Sequence, residues 1–304
     1  MKIAFWSGQE KVGTTFNTAA VACAAVMMYP ISIGMISSDY CDRDLEKNFQ
    51  GKAQDGRRAW RRWDGGRPWE AGGTLAAGQA MTALAAEKEA GDLLVAAEEE
   101  EYFLDSGLDC LLCREEELDG QLLQQNMQQI IEGRLSVLPS SRRQEYKWWY
   151  KDRLFAQMRR IVAVMEESFD LVLIDCGARR DDFTREILQE SGLCVLNMDQ
   201  ASEQIGDFYR TPPAFRSKTF FLVGNYFQEE LYNRENLERL YRMEADMLGA
   251  IPYNPQMQAA SKAGMMDIGI RKYINHGMRG KNIGFERETI RSARLILKRA
   301  GVIE

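Results

Sequence analysis

Ten residues near the amino terminus, Ser7-Gly8-Gln9-Glu10-Lys11-Val12-Gly13-Thr14-Thr15-Phe16, carry the clearest chemistry in the sequence. Gly8 and Gly13 stand at the two glycine positions of G-x-x-x-x-G-K-[ST], the spacing of a phosphate-binding loop. Backbone N–H groups of such a loop converge on an anion together with the free N–H groups of the helix that follows. Thr15 stands where a hydroxyl reaches Mg2+. The lysine expected after the second glycine is replaced by Thr14, so the cradle depends on main-chain amides. Two acids further along, Asp39 and Asp175, each follow an apolar run and are candidates to orient Mg2+ and a water molecule.

These residues need a strand before the loop and a helix after it. Ile3-Ala4-Phe5-Trp6 reads as a buried strand, and Thr14–Met28 as an Ala-rich helix with apolar residues on most faces. Ile31–Ser37 is a second strand, and Asp39 lies in its polar exit loop, residues 38–43. A strand-helix-strand unit of this kind favours parallel pairing and a right-handed crossover. Apolar strands recur at Leu135–Leu138, Leu171–Ile174, Cys194–Asn197, Phe220–Val223 and Leu248–Pro252. Helical spacing is expected over Leu118–Ile131, Trp148–Glu167, Leu237–Met247 and Glu286–Arg299. Buried strands alternating with helices give an α/β fold: a doubly wound, mainly parallel sheet with helices on both faces. Ligands of such folds lie at the carboxyl ends of the strands. The loop Gly8–Gly13, Asp39, Asp175 and Asn225 all fall at such ends. The expected organisation is one domain over 1–304 with a divergent insertion at about 51–104.

Composition narrows the function classes. The chain has 304 residues, 45% hydrophobic and 28% charged, with a net charge of -6. That balance is ordinary for a globular protein and argues against general nucleic-acid affinity. The basic-aromatic run Arg57–Trp63 suits phosphates and stacked bases, but in an acidic chain a protein-docking loop is the plainer reading. His276 is the sole histidine and has no evident partner for nucleophilic catalysis. The six cysteines, Cys23, Cys41, Cys110, Cys113, Cys176 and Cys194, read mainly as small buried hydrophobes of a reducing compartment. Cys110 and Cys113 form a lone C-x-x-C without the further ligands zinc requires. Met1 runs directly into the first strand and Pro30 interrupts the most apolar window, so neither a leader nor a membrane span is expected.

The chain resembles the MinD/ParA family of deviant P-loop ATPases, and within it the CpaE/TadZ branch tied to assembly of Tad-type pili. Ser7–Phe16 resembles the deviant loop S-G-K-G-G-V-G-K-T-T, with both lysines lost, to Gln9 and Thr14, and a new lysine at Lys11. Ser37-Ser38-Asp39-Tyr40-Cys41-Asp42-Arg43-Asp44-Leu45 resembles the switch I segment D-x-D-x-x-x-R-N-L. Leu135–Ser140 is similar to L-x-V-L-P-A, and Phe169–Asp175 to Y-D-x-V-x-I-D, which ends in the switch II acid. Leu222-Val223-Gly224-Asn225 resembles the V-x-N strand end that faces the adenine, and Gly249–Asn254 resembles G-x-I-P-Y-N. The match leaves out about 51–101 and the tail beyond Gly264.

The resemblance implies ATP or ADP with Mg2+ as cofactors. Nucleotide contacts fall to Gly8, Gln9, Glu10, Lys11, Val12, Gly13, Thr14, Thr15, Asn225 and Pro252. The metal falls to Thr15, Asp39 and Asp175, and the two acids carry any catalysis. It further implies a homodimer closed by nucleotide, pilus or secretion assembly proteins as partners, and a cytoplasmic chain recruited to the inner membrane face through them. A receiver-like domain preceding the loop in that branch is not expected here. A charge-assisted hydrogen bond contributes about 1.5–3 kcal/mol, and a charge on the transition state on the order of 10³–10⁵ in rate. With both family lysines replaced, binding is expected to outlast hydrolysis. The alternatives are an active ATPase that uses Lys11 as a relocated lysine, or a DNA-partition protein resting on Arg57–Trp63.

Overall fold

The computed structural model describes residues 1–51, 107–113, 118–141, 151–200, 206, 216–276 and 283–304. Most of the expected insertion, the Arg57–Trp63 run and Trp148–Tyr150 lie outside the described residues.

Among the described residues eight strands form one sheet: β1 (Lys2–Ser7), β2 (Ile33–Ser37), β3 (Gln128–Ile131), β4 (Leu135–Val137), β5 (Leu171–Asp175), β6 (Leu193–Met198), β7 (Thr219–Tyr226) and β8 (Leu248–Pro252). Their order is β3-β4-β2-β5-β1-β6-β7-β8. Every pairing is parallel except β3 with β4. Strands covered on both faces must be apolar on both, which is why β2, β5 and β6 read as unbroken runs.

The helices are α1 (Thr14–Met28), α2 (Asp44–Lys47), α3 (Leu108–Cys113), α4 (Gly120–Asn126), α5 (Lys151–Ser168), α6 (Asp182–Glu190), α7 (Arg234–Tyr241), α8 (Pro255–Lys262), α9 (Met266–His276) and α10 (Ile283–Arg299). Helix α1 is sandwiched between the sheet and the pair α9–α10, so Ala19–Val26 are buried all round. Its alanines and Cys23 let these layers approach closely. On the opposite face α5 lays Met158, Ile161, Val162 and Met165 on the sheet. Phe155 of α5 stacks on Phe183 of α6, with ring centroids 4.9 Å apart.

Three differences from the sequence reading have local causes. The segment 118–131 is not one helix. Asp119 caps α4 by accepting the Leu122 N–H at 2.7 Å, the helix ends at Asn126, and β3 follows as an antiparallel edge strand. Gly133, at φ 66°, turns β3 back into β4. Helix α7 starts earlier and ends earlier than expected. Asn233 caps it on the Asn236 N–H, and Arg242, in a left-handed conformation, stops it before 243–247. Helix α8 was legible but unread: Asn254 accepts from the N–H groups of Gln256 and Met257, and Pro255 opens the first turn.

The edge strand β8 is stapled to α10 by a single hydroxyl. Ser292 Oγ accepts the Ala250 N–H at 2.8 Å and donates to the Ala250 carbonyl at 2.9 Å, wholly buried. Ser292→Ala strands both groups without water. The expected loss is about 2–4 kcal/mol in chemical denaturation, with an unchanged m-value.

Candidate functional site

The sheet brings the candidate residues to one end. The register pairs Phe5 with Asp175 and Ser37 with Asp175, so β5 ends between the loop after β1 and the loop after β2. Backbone bonds stitch these loops together: Ser7 N–H donates to the Gly177 carbonyl and Ser38 N–H to the Asp175 carbonyl, both at 2.8 Å.

The loop begins with Ser7, fully buried, whose Oγ donates to the Gln9 carbonyl at 2.6 Å and accepts the Gln9 N–H at 3.0 Å. Lys11 at φ 64° and Gly13 at φ 84° are both left-handed, folding the loop back onto the start of α1. Gln9, Glu10 and Lys11 are exposed. Neither Glu10 nor Lys11 has an ion-pair partner among the described residues. Gly13 caps α1 with no side chain, and the first turn holds no acid. The N–H groups of Thr14, Thr15 and Phe16 meet no acceptor among the described residues. Orphan amides at the positive end of a helix dipole suit an anion. The Phe16 side chain packs against the core cluster around α1.

The end of β7 forms one wall. A Cβ on Gly224 would lie 2.3 Å from the Val12 carbonyl oxygen and 2.8 Å from Asn17 Nδ2, so only glycine lets strand and loop approach this closely. Asn17 in turn donates to Asn197 Oδ1 at 2.9 Å, fixing α1 to β6. Asn225 is exposed at φ 48°. Pro252, half-buried, ends β8, where Tyr253 N–H donates to the Tyr226 carbonyl at 2.9 Å. Beside them Phe227 and Tyr253 stack with centroids 5.3 Å apart, each 45% exposed. The sequence reading missed this aromatic shelf, although each ring is within two positions of a residue it named.

The two acids have different surroundings. Asp175 is buried, hydrogen-bonded to the Thr15 side chain and to the Gly177 N–H at 3.0 Å. Burial raises its carboxyl pKa to about 6, the two hydrogen bonds hold it down, and the fields of Asp42 and Asp44 push it up. Asp39 instead forms an ion pair with Arg179, whose Nε also donates to Asp181 Oδ2 at 2.7 Å. The structure thus joins Thr15 to Asp175, and joins Asp39 to Arg179. Arg180 donates from Nη2 to the Gly8 carbonyl at 2.7 Å. Neither arginine was singled out from sequence, though the twin arginines follow Asp175 closely and the lost lysines posed the question of where a cation would come from. Among the described residues no cluster of three or more His, Cys, Asp or Glu could hold a metal ion. An Mg2+ here would draw its other ligands from phosphate oxygens and water, as Mg2+ in nucleotide sites does.

No protein-family model matches the sequence, and no curated protein matches it. Solved structures do. A ParA family ATPase from Chlorobium tepidum superposes with a TM-score of 0.61 at 13% identity, covering 96% of this chain and 98% of that one. The septum site-determining protein MinD from Pyrococcus horikoshii, complexed with Mg-ADP, gives 0.56 at 13%, covering 99% and 97%. A plasmid partition protein from Borrelia burgdorferi, bound to AMPPNP, gives 0.55 at 12%, covering 98% of this chain and of that one. The chain has the ParA/MinD fold. Its mostly parallel eight-stranded sheet, flanked by helices, is the architecture of those P-loop ATPases. Among the described residues no helix of this ParA/MinD-like chain is long and apolar enough to cross a membrane.

Proposed function

We propose that the chain is a nucleotide-binding switch of the ParA/MinD kind, holding ATP or ADP with Mg2+ mainly through main-chain amides and hydrolysing it weakly or not at all. The observation that carries this reading is the uncapped start of α1, whose free N–H groups sit beside the half-buried Thr15 and the buried Asp175. Two of the similar structures hold Mg-ADP and AMPPNP, which supports a nucleotide as the ligand class. Gly8–Thr15 would hold the phosphates, Thr15 and Asp175 the metal, and Asn225 and Pro252 the base. Lysines are missing at Gln9 and Thr14, which removes the charges a rapid hydrolase needs on the transition state. A switch that binds without rapid turnover suits a role in placing or assembling a larger machine. The CpaE/TadZ-like sequence features point to a Tad-type pilus or secretion apparatus, with nucleotide closing a homodimer that recruits its partners to the inner membrane face.

A second reading has one observation in its favour. Lys11 is exposed, left-handed and without an ion-pair partner among the described residues, so it is available as a relocated lysine in an active ATPase. Phosphate release from ATP and Mg2+ by wild type and Lys11→Ala separates the two. The switch predicts near-background turnover in both, beside saturable binding and a nucleotide-dependent shift in elution volume. Turnover lost on Lys11→Ala would establish the second reading instead.

A further inference from the structure

We infer that Arg180 is the phosphate-binding cation of this site, supplied by the turn after β5 in place of the lysines the loop lacks. The inference rests on the nucleotide-binding reading above and adds which side chain neutralises the phosphates. The twin arginines have opposite commitments. Arg179 lies between two carboxylates, Asp39 and Asp181, and its charge is already met. Arg180 is exposed, and its one hydrogen-bond partner among the described residues is neutral, the Gly8 carbonyl. A guanidinium has five N–H donors, so this contact leaves most of the fork open.

The backbone that carries it is held in place. Trp6 Nε1 donates to the Arg179 carbonyl at 2.7 Å, pinning the peptide next to Arg180. Ser7 N–H on the Gly177 carbonyl and Cys176 N–H on the Phe5 carbonyl tie the same turn to the end of β1, each at 2.8 Å. Arg180 is thereby carried to the mouth of the Gly8–Gly13 loop from outside it. Exchanging a neutral carbonyl for a phosphate oxygen replaces a single bond from a cation to a dipole by a bidentate one between opposite charges. The ligand class that follows is a nucleoside di- or triphosphate, with affinity rising with phosphate number.

Calorimetric titration of the full chain with ATP, ADP and adenosine, each with Mg2+, tests this in wild type, Arg180→Ala, Arg180→Lys and Lys11→Ala. Arg180→Ala is expected to weaken ATP by about tenfold to a hundredfold, ADP by less, and adenosine not at all. Arg180→Lys should recover part of the ATP affinity, and Lys11→Ala should lose less than Arg180→Ala. Arg180 is exposed, so thermal melts of all four proteins should coincide. ATP affinity retained in Arg180→Ala overturns the inference and leaves nucleotide binding standing. Equal losses for all three ligands also overturn it, by assigning Arg180 to holding Gly8 alone. A wild-type chain that binds no nucleotide overturns both this inference and the reading beneath it.

Discussion

Replacing Gly224 by valine is expected to remove nucleotide binding. The first added carbon would sit 2.3 Å from the Val12 carbonyl, well inside van der Waals contact, and that obstacle is backbone. The conflict cannot be relieved by turning a side chain. Either β7 withdraws or the loop does, and Val12 directly precedes the glycine that starts α1. Moving it re-aims the orphan amides of Thr14, Thr15 and Phe16. Overpacking of this kind costs about 1–3 kcal/mol of stability. A cradle displaced by an ångström loses far more in affinity, because its hydrogen bonds are short-ranged and directional. Titration with ATP and Mg2+ should show at least a tenfold loss, on the order of 1.4 kcal/mol. Gly284→Ala is the control, since a Cβ there meets nothing within 4 Å. Unchanged ATP affinity in Gly224→Val would mean that the loop is not where the phosphates sit.

Asp175→Asn should stabilise the protein at neutral pH while weakening Mg2+-dependent binding. The folded-state pKa of about 6 lies above the unfolded carboxyl value of 3.8. The folded chain therefore binds the extra proton between those values, and stability falls as pH rises through that window. Well below pH 3.8 both states are protonated; above about pH 7 both are ionised, and the loss is complete at about 3 kcal/mol at most. The asparagine variant keeps one acceptor oxygen for the Gly177 N–H and an amide that can donate to the Thr15 hydroxyl, but carries no charge. Denaturation from pH 4 to 8 should give wild type a downward slope that the variant lacks, the gap growing with pH. Parallel curves would show that burial does not strain the Asp175 carboxylate. Function should move the other way, because a neutral amide is a poor Mg2+ ligand. Gain of stability with loss of ligand is what a strained functional acid predicts.

Much of this was legible in residues alone, and the rest fails for identifiable reasons. The seven strands read from sequence are all present, because burial on two faces demands runs such as Leu171–Ile174 that no surface element would carry. The eighth, β3, is half-exposed and short, and its Gln128-Gln129 start continued the helical spacing of α4. Helix α9 follows α8 after the left-handed Gly264, and no strand context announced the pair. At the site, the loop and Asp175 could be found because their spacing is local and has a known chemical use. Arg179 and Arg180 could not: an arginine after a strand is ordinary until the fold places one on Asp39 and the other on Gly8. Gly224 carried no signal either, since its need for glycine comes from a carbonyl more than two hundred positions away in the chain.

The most direct measurement is an equilibrium titration of the intact wild-type chain with ATP and Mg2+, followed by heat and by elution volume. Main-chain amides on an uncapped helix, aided by one arginine, should give saturable binding at one nucleotide per subunit, weakened by chelating the metal. A chain that melts cooperatively yet releases no heat and keeps its elution volume at millimolar ATP would contradict it, leaving a ParA/MinD fold without a nucleotide.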